Sequence, residues 1–269
     1  MLFRSDDLKR ETRRSRALSH PNIVKVFDFV RNDRMAAISM EYVDGNSLTG
    51  IRAARPNRVF EVEDIRPWLP QLHEALDYAH GKAQVVHRDL KPANLMLDRA
   101  GELKVADFGI SATISDTATR VSKMVGTSGT PVYMSPQQMM GEKPAVTDDV
   151  YSVGATLYDL LTGKPPFYTG NLIAQVQGKV PPSVADRRSE FGVSGAPIPP
   201  DWEETIAACL AKEPKDRPQN AGEVAERLGL GGGMRSAVAE YRDQPRPAVL
   251  PKPAFKVPAA AELAVQMPK

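Results

Sequence analysis

The chain has 269 residues, of which 42% are hydrophobic and 25% are charged, so it can bury a core in one domain or in two small ones. Its formal net charge of +2 gives no electrostatic reason to expect a nucleic acid or a membrane surface as partner. The single cysteine, Cys209, excludes an internal disulfide, and no apolar run approaches the ~18 residues of a membrane span, so we expect a cytoplasmic protein without a membrane segment.

The first third of the chain predicts a charged helix, two strands and a longer helix. Between residues 6 and 18 small or apolar side chains recur every three to four positions, and Pro21 ends this helix because proline disfavours helical geometry in the residue before it. The stretches IVKVFDFV and MAAISMEYV follow as strands, and DGNSL follows as a loop. An amphipathic pattern from Asp64 then predicts one long helix that ends near Gly81.

The middle of the chain predicts a hairpin, a long loop and a buried helix. Leu95–Leu97 and Leu103–Val105 are short apolar runs that can pair on either side of a turn. Residues 111–131 are rich in Ser, Thr and Gly and predict a long mobile loop. After Asp149 the near-continuous apolar stretch VYSVGATLYDLLTG predicts a buried helix. Further helices are predicted at Asn171–Gln177, Asp201–Ala211 and Asn220–Leu230.

The composition changes at Gly231. From there to Lys269 the chain is rich in Ala and Pro and shows no periodicity. Too little apolar surface is patterned in this stretch to offset the entropy of ordering it. We therefore expect a folded unit over residues 1–230 and a disordered tail over residues 231–269.

Four side chains in the middle of the chain suit phosphoryl transfer. Asp89, two residues after His87, is a carboxylate that can accept a proton, and Lys91 is a cation suited to a phosphate oxygen. Asn94 and Asp107 lie on two loops that face each other across the predicted hairpin, and their oxygens suit Mg²⁺ together with phosphates. A base, a cation and two Mg²⁺ ligands are what transfer to a hydroxyl needs, because its catalysis is mostly positioning and charge neutralisation.

The motifs HRDLKPAN and ADFG, in this order and at this separation, resemble the catalytic and metal-binding loops of protein kinases. The resemblance covers about residues 6–230 and is closest to the eukaryotic-like serine/threonine kinases of bacteria. It implies an α+β, protein-kinase-like fold with an incomplete small β lobe and a mainly helical large lobe. It also implies ATP and Mg²⁺ as cofactors and proteins with Ser or Thr acceptors as substrates.

The resemblance implies a role for each residue of the catalytic region. Asp89 would be the base, Lys91 the phosphate contact, and Asn94 and Asp107 the metal ligands. Arg88, directly before the base, implies control by phosphorylation of the long loop. The candidate hydroxyls in that loop are Thr117, Thr119, Ser122, Thr127 and Ser128.

Three further stretches resemble other parts of the family's site. GTPVYMSP resembles the peptide-positioning loop, in which Thr130 would contact Asp89 and Lys91 and favour Ser or Thr over Tyr as acceptor. SMEYVDGNSL resembles the hinge between the lobes. The hinge implies Met40 as gatekeeper, with backbone groups of Glu41 and Val43 facing the adenine of ATP.

Two late motifs complete the resemblance, and the second departs from the family. Asp149, in DDVYSVG, resembles the residue that holds the backbone of the catalytic loop. Arg217, in EPKDRP, resembles an arginine whose partner in the family is a glutamate, but here Gln137 stands in that place. A neutral amide can still accept a hydrogen bond from Arg217, although the charge assistance is weaker than with a glutamate.

The start of the sequence departs further from the family. Glu11 resembles the helix glutamate that pairs with a phosphate-gripping lysine, but only MLFRSDDLKR precedes it and no GxGxxG occurs before the catalytic loop. We therefore expect a kinase domain truncated before this helix, with a small-lobe remnant over residues 1–40, a hinge over residues 41–46 and a large lobe over residues 47–230.

The leading function implied by the resemblance is ATP-dependent phosphorylation of protein serine and threonine. One alternative is a catalytically silent kinase-like module that binds partners, which the missing lysine favours and the presence of Asp89, Asn94 and Asp107 opposes. Another is a fragment of a longer active kinase whose start has been misassigned. Without the lysine and the Gly-rich loop, we expect residues 1–269 alone to show little autophosphorylation.

Overall fold

The structure is a computed structural model that describes residues 18–31, 36–55, 57–108 and 131–230. Several of the sequence-based expectations lie outside the described residues. These are the first helix with Glu11, the hydroxyls of the long loop together with Thr130, and the tail over residues 231–269.

The small sheet consists of two antiparallel strands, β1 (Val26–Arg31) and β2 (Ala36–Met40). Their pairing runs from Val26 opposite Met40 to Arg31 opposite Ala36, with an irregularity after Val26. The sequence predicted a first strand that already began at residue 23, but the structure divides this stretch. Ile23 forms a bridge to Val105 in the second sheet, and the amide of Val24 donates to the carbonyl of Val105 at 2.9 Å. The stretch before β1 therefore ties the small sheet to the rest of the molecule.

The second sheet has the order β3–β4–β5, with β3 at Gly45–Ser47, β4 at Leu95–Asp98 and β5 at Leu103–Val105. The predicted hairpin of β4 and β5 is confirmed, and buried and half-buried residues alternate along both strands. The prediction of DGNSL as a loop was wrong, because Gly45 allows β3 to approach β4. A Cβ atom at position 45 would collide with the carbonyl oxygen of Leu97.

The helices follow a chain order that agrees with most of the sequence prediction. They are α1 (Leu48–Ala53), α2 (Val62–Ile65), α3 (Leu69–Gly81), α4 (Pro136–Met140), α5 (Val146–Thr162), α6 (Leu172–Gly178), α7 (Val184–Glu190), α8 (Pro200–Cys209) and α9 (Ala221–Arg227). Short 3₁₀ turns lie at Pro92–Asn94, Pro131–Tyr133 and Pro214–Asp216.

One helical prediction was wrong, and the helices α1, α4 and α7 were not predicted. The expected single helix from Asp64 to Gly81 is divided into α2 and α3, because Pro67 between them lacks the amide hydrogen that a continuous helix needs. Helix α7 was missed because its sequence, VADRRSE, is mostly charged and reads as a solvated loop. In the structure two of its charged side chains, Arg187 and Arg188, are buried.

Helix α5 lies at the centre of the core. All of its residues from Thr147 to Thr162 are buried, and it packs against α7 and α8. Gly154 makes the crossing with α8 possible, because a Cβ atom there would lie 2.5 Å from the Cβ of Cys209. Cys209 is fully buried, and burial raises the pKa of its thiol to about 12, in agreement with a structural role. In the described part of the chain, no helix is long and apolar enough to cross a membrane.

Candidate active site

The catalytic loop is held by one buried carboxylate at the start of α5. Asp149 accepts from the amide of His87 at 2.7 Å and from the amide of Arg88 at 2.9 Å. It also lies 2.7 Å from Nε2 of His80, which reaches it from the last turn of α3. The role expected for Asp149, to hold the backbone of the catalytic loop, agrees with these contacts.

Asp149 is ionised although it is fully buried. Burial alone would raise the pKa of this carboxyl, but the hydrogen bond and charge of His80 and the amide of Arg88 together lower the pKa below its ordinary value. A carboxylate that accepts several hydrogen bonds is strongly stabilised in its charged form. The anchor of the loop is therefore a permanent negative charge at neutral pH.

Asp89 lies in a small hydrogen-bonded group with Lys91 and Asn94. Nζ of Lys91 contacts both carboxylate oxygens of Asp89, at 2.9 and 2.8 Å. Nδ2 of Asn94 donates to the backbone oxygen of Asp89 at 2.8 Å and to its Oδ2 at 3.1 Å. Because Nδ2 makes both bonds, Oδ1 is the atom of Asn94 that can serve as a metal ligand. Three of the predicted site residues are thus brought together.

Asp107, the fourth residue of the predicted group, lies two residues after the end of β5. The amide of Ala106 donates to the backbone oxygen of Asn94 at 2.8 Å, so the two loops that carry the expected metal ligands lie side by side. Asp107 has a left-handed backbone with φ of 63°, and Arg88 has one with φ of 70°. Residues other than glycine adopt this conformation at a cost of order 1–3 kcal/mol, and such residues cluster at functional sites.

His87 joins the catalytic loop to the loop of Asp107. Its ring packs against the ring of Phe108, with 4.5 Å between the centroids. Nε2 lies 2.9 Å from the carbonyl oxygen of Ala106, and Nδ1 lies 3.2 Å from the amide of Asp89. A carbonyl only accepts and an amide only donates, so Nε2 carries the hydrogen and Nδ1 accepts. The ring therefore acts as a fixed spacer between the two loops.

The expected hinge residues follow β2. Met40 ends the strand and is 39% exposed, whereas Val43 is buried. The side chain of Glu41 accepts from Nζ of Lys104 at 2.7 Å and from the amide of Lys25 at 3.1 Å. Burial tends to raise the pKa of Glu41, but the hydrogen bonds of Lys104 and Lys25 and their charges lower it overall.

Sequence reasoning missed two apolar residues beside the hinge, Ala106 and Met96. Val43 packs with Val24 and Ala106 in a cluster separate from the main core, and Met96 is packed against this cluster. Met96 is half-buried on β4, between the fully buried Leu95 and the buried Leu97. The alternation of the strand was visible in the sequence, but the association of β4 with the hinge was not, since it depends on the pairing of β3 with β4.

The expected peptide-positioning loop is described from Pro131 onwards, and Thr130 lies outside the described residues. The hydroxyl of Tyr133 donates to Oδ2 of Asp159 at 2.7 Å, and Oγ of Ser152 donates to the backbone oxygen of Tyr133 at 2.9 Å. Arg52 on α1 forms an ion pair with the same buried Asp159. Burial, together with the charge of Asp159, raises the pKa of Tyr133, so its hydroxyl remains a donor.

Arg217 has the amide partner that the sequence predicted. Its Nη2 donates to Oε1 of Gln137 at 2.7 Å, and its Nη1 donates to the backbone oxygen of Thr147 at 2.9 Å. Burial lowers the pKa of Arg217, although the charge of Asp148 acts in the opposite direction. Nearby Lys212 lies over the ring of Phe167, and burial with the charge of Arg217 lowers its pKa to about 8.

The family model described as protein kinase domain matches residues 3–227 of the chain. The serine/threonine-protein kinase PknB of Mycolicibacterium smegmatis is 35% identical over 229 residues, which are 80% of this chain and 34% of that protein. PknB of Mycobacterium tuberculosis is 36% identical over 233 residues, again 80% of this chain and 34% of that protein. The chain thus spans about a third of the length of the curated relatives it matches.

Solved structures agree with the sequence comparison. A crystal structure of the Mycobacterium tuberculosis PknI kinase domain is 26% identical, covers 84% of this chain and 79% of its own, and superposes with a TM-score of 0.64. The α+β fold expected from the catalytic motifs is confirmed by this likeness. The match over residues 3–227, the fold and the anchored HRD and DFG loops together show that the chain belongs to the protein kinase domain family.

Proposed function

We propose that the chain transfers the γ-phosphoryl group of ATP to serine and threonine hydroxyls of proteins, with Mg²⁺ as cofactor. The observation that carries this proposal is the hydrogen-bonded group of Asp89, Lys91 and Asn94 on a loop fixed by Asp149. Relatives named serine/threonine-protein kinases at 35% and 36% identity support the same acceptor class. The acceptor is a protein rather than a nucleic acid, and we propose the cytoplasm, where ATP is supplied, as the place of action.

In the transfer step a new bond forms between the acceptor oxygen and the γ-phosphorus, and the bond to the β,γ-bridging oxygen breaks to release ADP. Asp89 accepts the proton of the hydroxyl, and Lys91, its neighbour at 2.8 Å, supplies a positive charge to an oxygen of the transferred group. Thr130 would complete this group by contacting Asp89 and Lys91. Arg88 would respond to phosphate on the loop that precedes Pro131.

The donor set of the metal site suits Mg²⁺. Asp107 offers a carboxylate and Asn94 offers Oδ1, and Mg²⁺ is usually bound by one or two such protein ligands together with phosphate oxygens and water. When bound, the ion neutralises the charge of the phosphates. The contribution of the chain is to hold the two ligands on adjacent loops, through the bond between the amide of Ala106 and the carbonyl of Asn94.

The adenine site is proposed beside the hinge. The apolar surfaces of Val43, Ala106 and Met96 lie together there and suit the faces of an adenine ring. The backbone of Glu41 and Val43 would bind its polar edge. Met40, at the end of β2, would border the same site as gatekeeper.

The test compares phosphoryl transfer by the wild-type chain and by Asp89→Asn. Each protein is incubated at high concentration with radiolabelled MgATP and a library of peptides, each of which contains one Ser or Thr. The variant should lose about 10²–10³ of the rate, because it lacks the general base, while its melting temperature stays close to that of the wild type. Because no GxGxxG and no phosphate-gripping lysine precede the catalytic loop, the wild-type rate should itself be low, which is why a high protein concentration is used. Equal rates for the two proteins would contradict the role of Asp89, and complete absence of transfer by the wild type at this concentration would contradict the proposed activity of this chain.

A further inference from the structure

We propose that Gln138 is a positioning residue that fixes the peptide bond before Asp89 and so couples the catalytic carboxylate to the segment expected to receive the acceptor peptide. The inference rests on the proposed function. Gln138 lies on α4, fifty residues away along the chain, and its Nε2 donates to the backbone oxygen of Arg88 at 2.8 Å.

The carbonyl of Arg88 belongs to the peptide unit that leads directly into Asp89. The amide side of Arg88 is already fixed, because its N–H donates to Asp149 at 2.9 Å. Gln138 fixes the carbonyl side. Arg88 is thus bonded on both sides while it holds a left-handed backbone with φ of 70°. A strained conformation of this kind persists only where its surroundings determine it, so each of the two bonds contributes to the direction of Asp89.

Both ends of the Gln138 amide are in use. Its Oε1 accepts from the amide of Ser135 at 3.3 Å, and Oγ of Ser135 accepts from the amide of Gln138 at 3.0 Å, which is the reciprocal capping of α4. Its Nε2 is the group that reaches Arg88. An acceptor alone would satisfy the cap, whereas the contact with Arg88 requires a donor. The side chain therefore needs to be an amide for a reason that helix capping does not supply.

Ser135 connects this contact to the acceptor segment. It follows the turn Pro131–Tyr133, and its Oγ donates to Asp148 at 2.6 Å, next to Asp149 on α5. The start of α4 and the catalytic loop are consequently held by neighbouring carboxylates of one helix. Gln138 is a further connection between α4 and the catalytic loop, through its bond to the carbonyl of Arg88. A displacement of the acceptor segment would be transmitted to the backbone oxygen of Arg88 through a single side chain.

Gln138→Glu separates the two roles of the side chain, because glutamate retains the capping acceptor and loses the donor to Arg88. The matched control is Gln175→Glu on α6, where Nε2 donates to the backbone oxygen of Thr169 at 2.6 Å, away from the catalytic loop. Amide hydrogen exchange of Arg88 and Asp89 is measured by NMR in the full chain. We expect exchange to become about 10-fold faster in Gln138→Glu, the equivalent of one lost hydrogen bond, and to stay unchanged in the control.

Phosphoryl transfer provides the second readout. Gln138→Glu should lower kcat about 10-fold while the KM for MgATP stays unchanged, since the nucleotide contacts remain. Exchange and kcat both equal to the wild type would overturn the proposal. Equal loss of exchange protection across the whole large lobe would also overturn it, because Gln138 would then be only a structural residue. Faster exchange confined to residues 87–89 would support the coupling even if the wild type showed no transfer, an outcome that would count against the proposed function alone.

Discussion

Asp89 is neutralised by a side chain of its own loop in the structure. Lys91 contacts both of its carboxylate oxygens, and each of the two side chains is 20% exposed. Partly exposed ion pairs of this kind contribute little to stability, with a median near 0–1 kcal/mol. The pair is therefore better explained by the site than by the fold. In the proposed reaction a phosphate oxygen would compete with Asp89 for Lys91 and free the carboxylate to accept a proton.

The metal ligands give a prediction at the scale of a residue. Asp107→Ala removes the carboxylate of the proposed Mg²⁺ site, so binding of a non-hydrolysable ATP analogue should lose its dependence on Mg²⁺. Calorimetric titration with and without Mg²⁺ measures this difference in affinity. Asp98→Ala, at the last residue of β4 on the same hairpin, is the control and should keep the dependence on Mg²⁺. Equal affinity of the wild type in the two conditions would contradict the assignment of Asn94 and Asp107.

At the scale of secondary-structure elements, the site depends on how closely α5 is packed. Its first turn carries Asp148 and Asp149, and its last turns carry Asp159, which binds Arg52 and Tyr133. Carboxylates along one buried helix thus hold the catalytic loop, α4 and the turn before it. The crossing of α5 with α8 sets the position of this helix, and Gly154 is the residue that allows the crossing.

Gly154→Ala should destabilise the fold by about 1–3 kcal/mol, because its Cβ would lie 2.5 Å from the Cβ of Cys209 and would force the two helices apart. Adding Cys209→Gly should recover part of this loss, since it removes the opposing atom. The control is Gly81→Ala at the end of α3, where nothing lies within 4 Å and alanine should be neutral or stabilising. Urea unfolding measures the three differences. A Gly154→Ala variant as stable as the wild type would show that the crossing tolerates a side chain.

The longer elements were largely predictable from the sequence, whereas short elements that depend on distant contacts were not. The period of apolar residues located α5, α8, α9 and the β4–β5 hairpin, because those segments bury one face or all faces. It failed at β3, which forms because Gly45 can approach the carbonyl of Leu97. It also failed at α7, where Arg188 is buried by a two-point contact with Glu61, 127 positions away. Contacts at such separations leave no local pattern.

The same division holds for the site. The motifs HRDLKPAN and ADFG pointed to Asp89, Lys91, Asn94 and Asp107 because the expected chemistry calls for such side chains and each lies in a short motif. Gln138 could not be found in this way, because its amide looks like an ordinary capping residue until Arg88 is placed beside it. Residues that act on the backbone of another loop become visible only in three dimensions.

At the scale of the whole molecule, His73 makes stability sensitive to mild acid. It is 2% exposed on α3, neither ring nitrogen has a partner within the described residues, and burial lowers its pKa to about 3. The unfolded chain takes up this proton below about 6.5, whereas the folded chain resists it down to about 3. The contribution of the neutral His73 to the free energy of unfolding is therefore fully present above pH 6.5. This contribution is lost as the pH falls from about 6.5 to about 3.

Between pH 7 and pH 5 the wild type should lose about 2 kcal/mol of unfolding free energy through His73. His73→Leu should remove this part of the pH dependence and should not reduce stability at pH 7, because it replaces two unpaired polar atoms by apolar ones. Urea unfolding at the two pH values measures both effects. The control is His20→Gln, which changes a far less buried histidine. This variant should still lose most of the same unfolding free energy between pH 7 and pH 5. An identical acid response of wild type and His73→Leu would place the sensitivity elsewhere.

The left-handed backbone at Arg88 and Asp107 is a conformation that favours glycine over any other residue. Glycine at either position would relieve strain of order 1–2 kcal/mol, but it would also give the unfolded chain about 0.5–1 kcal/mol of additional freedom. The relief of strain is the larger effect, so glycine at either position should leave the fold as stable as the wild type or up to about 1.5 kcal/mol more stable. Under the proposed function Arg88 responds to loop phosphate and Asp107 holds Mg²⁺, so a screen for thermal stability alone would not select for either side chain.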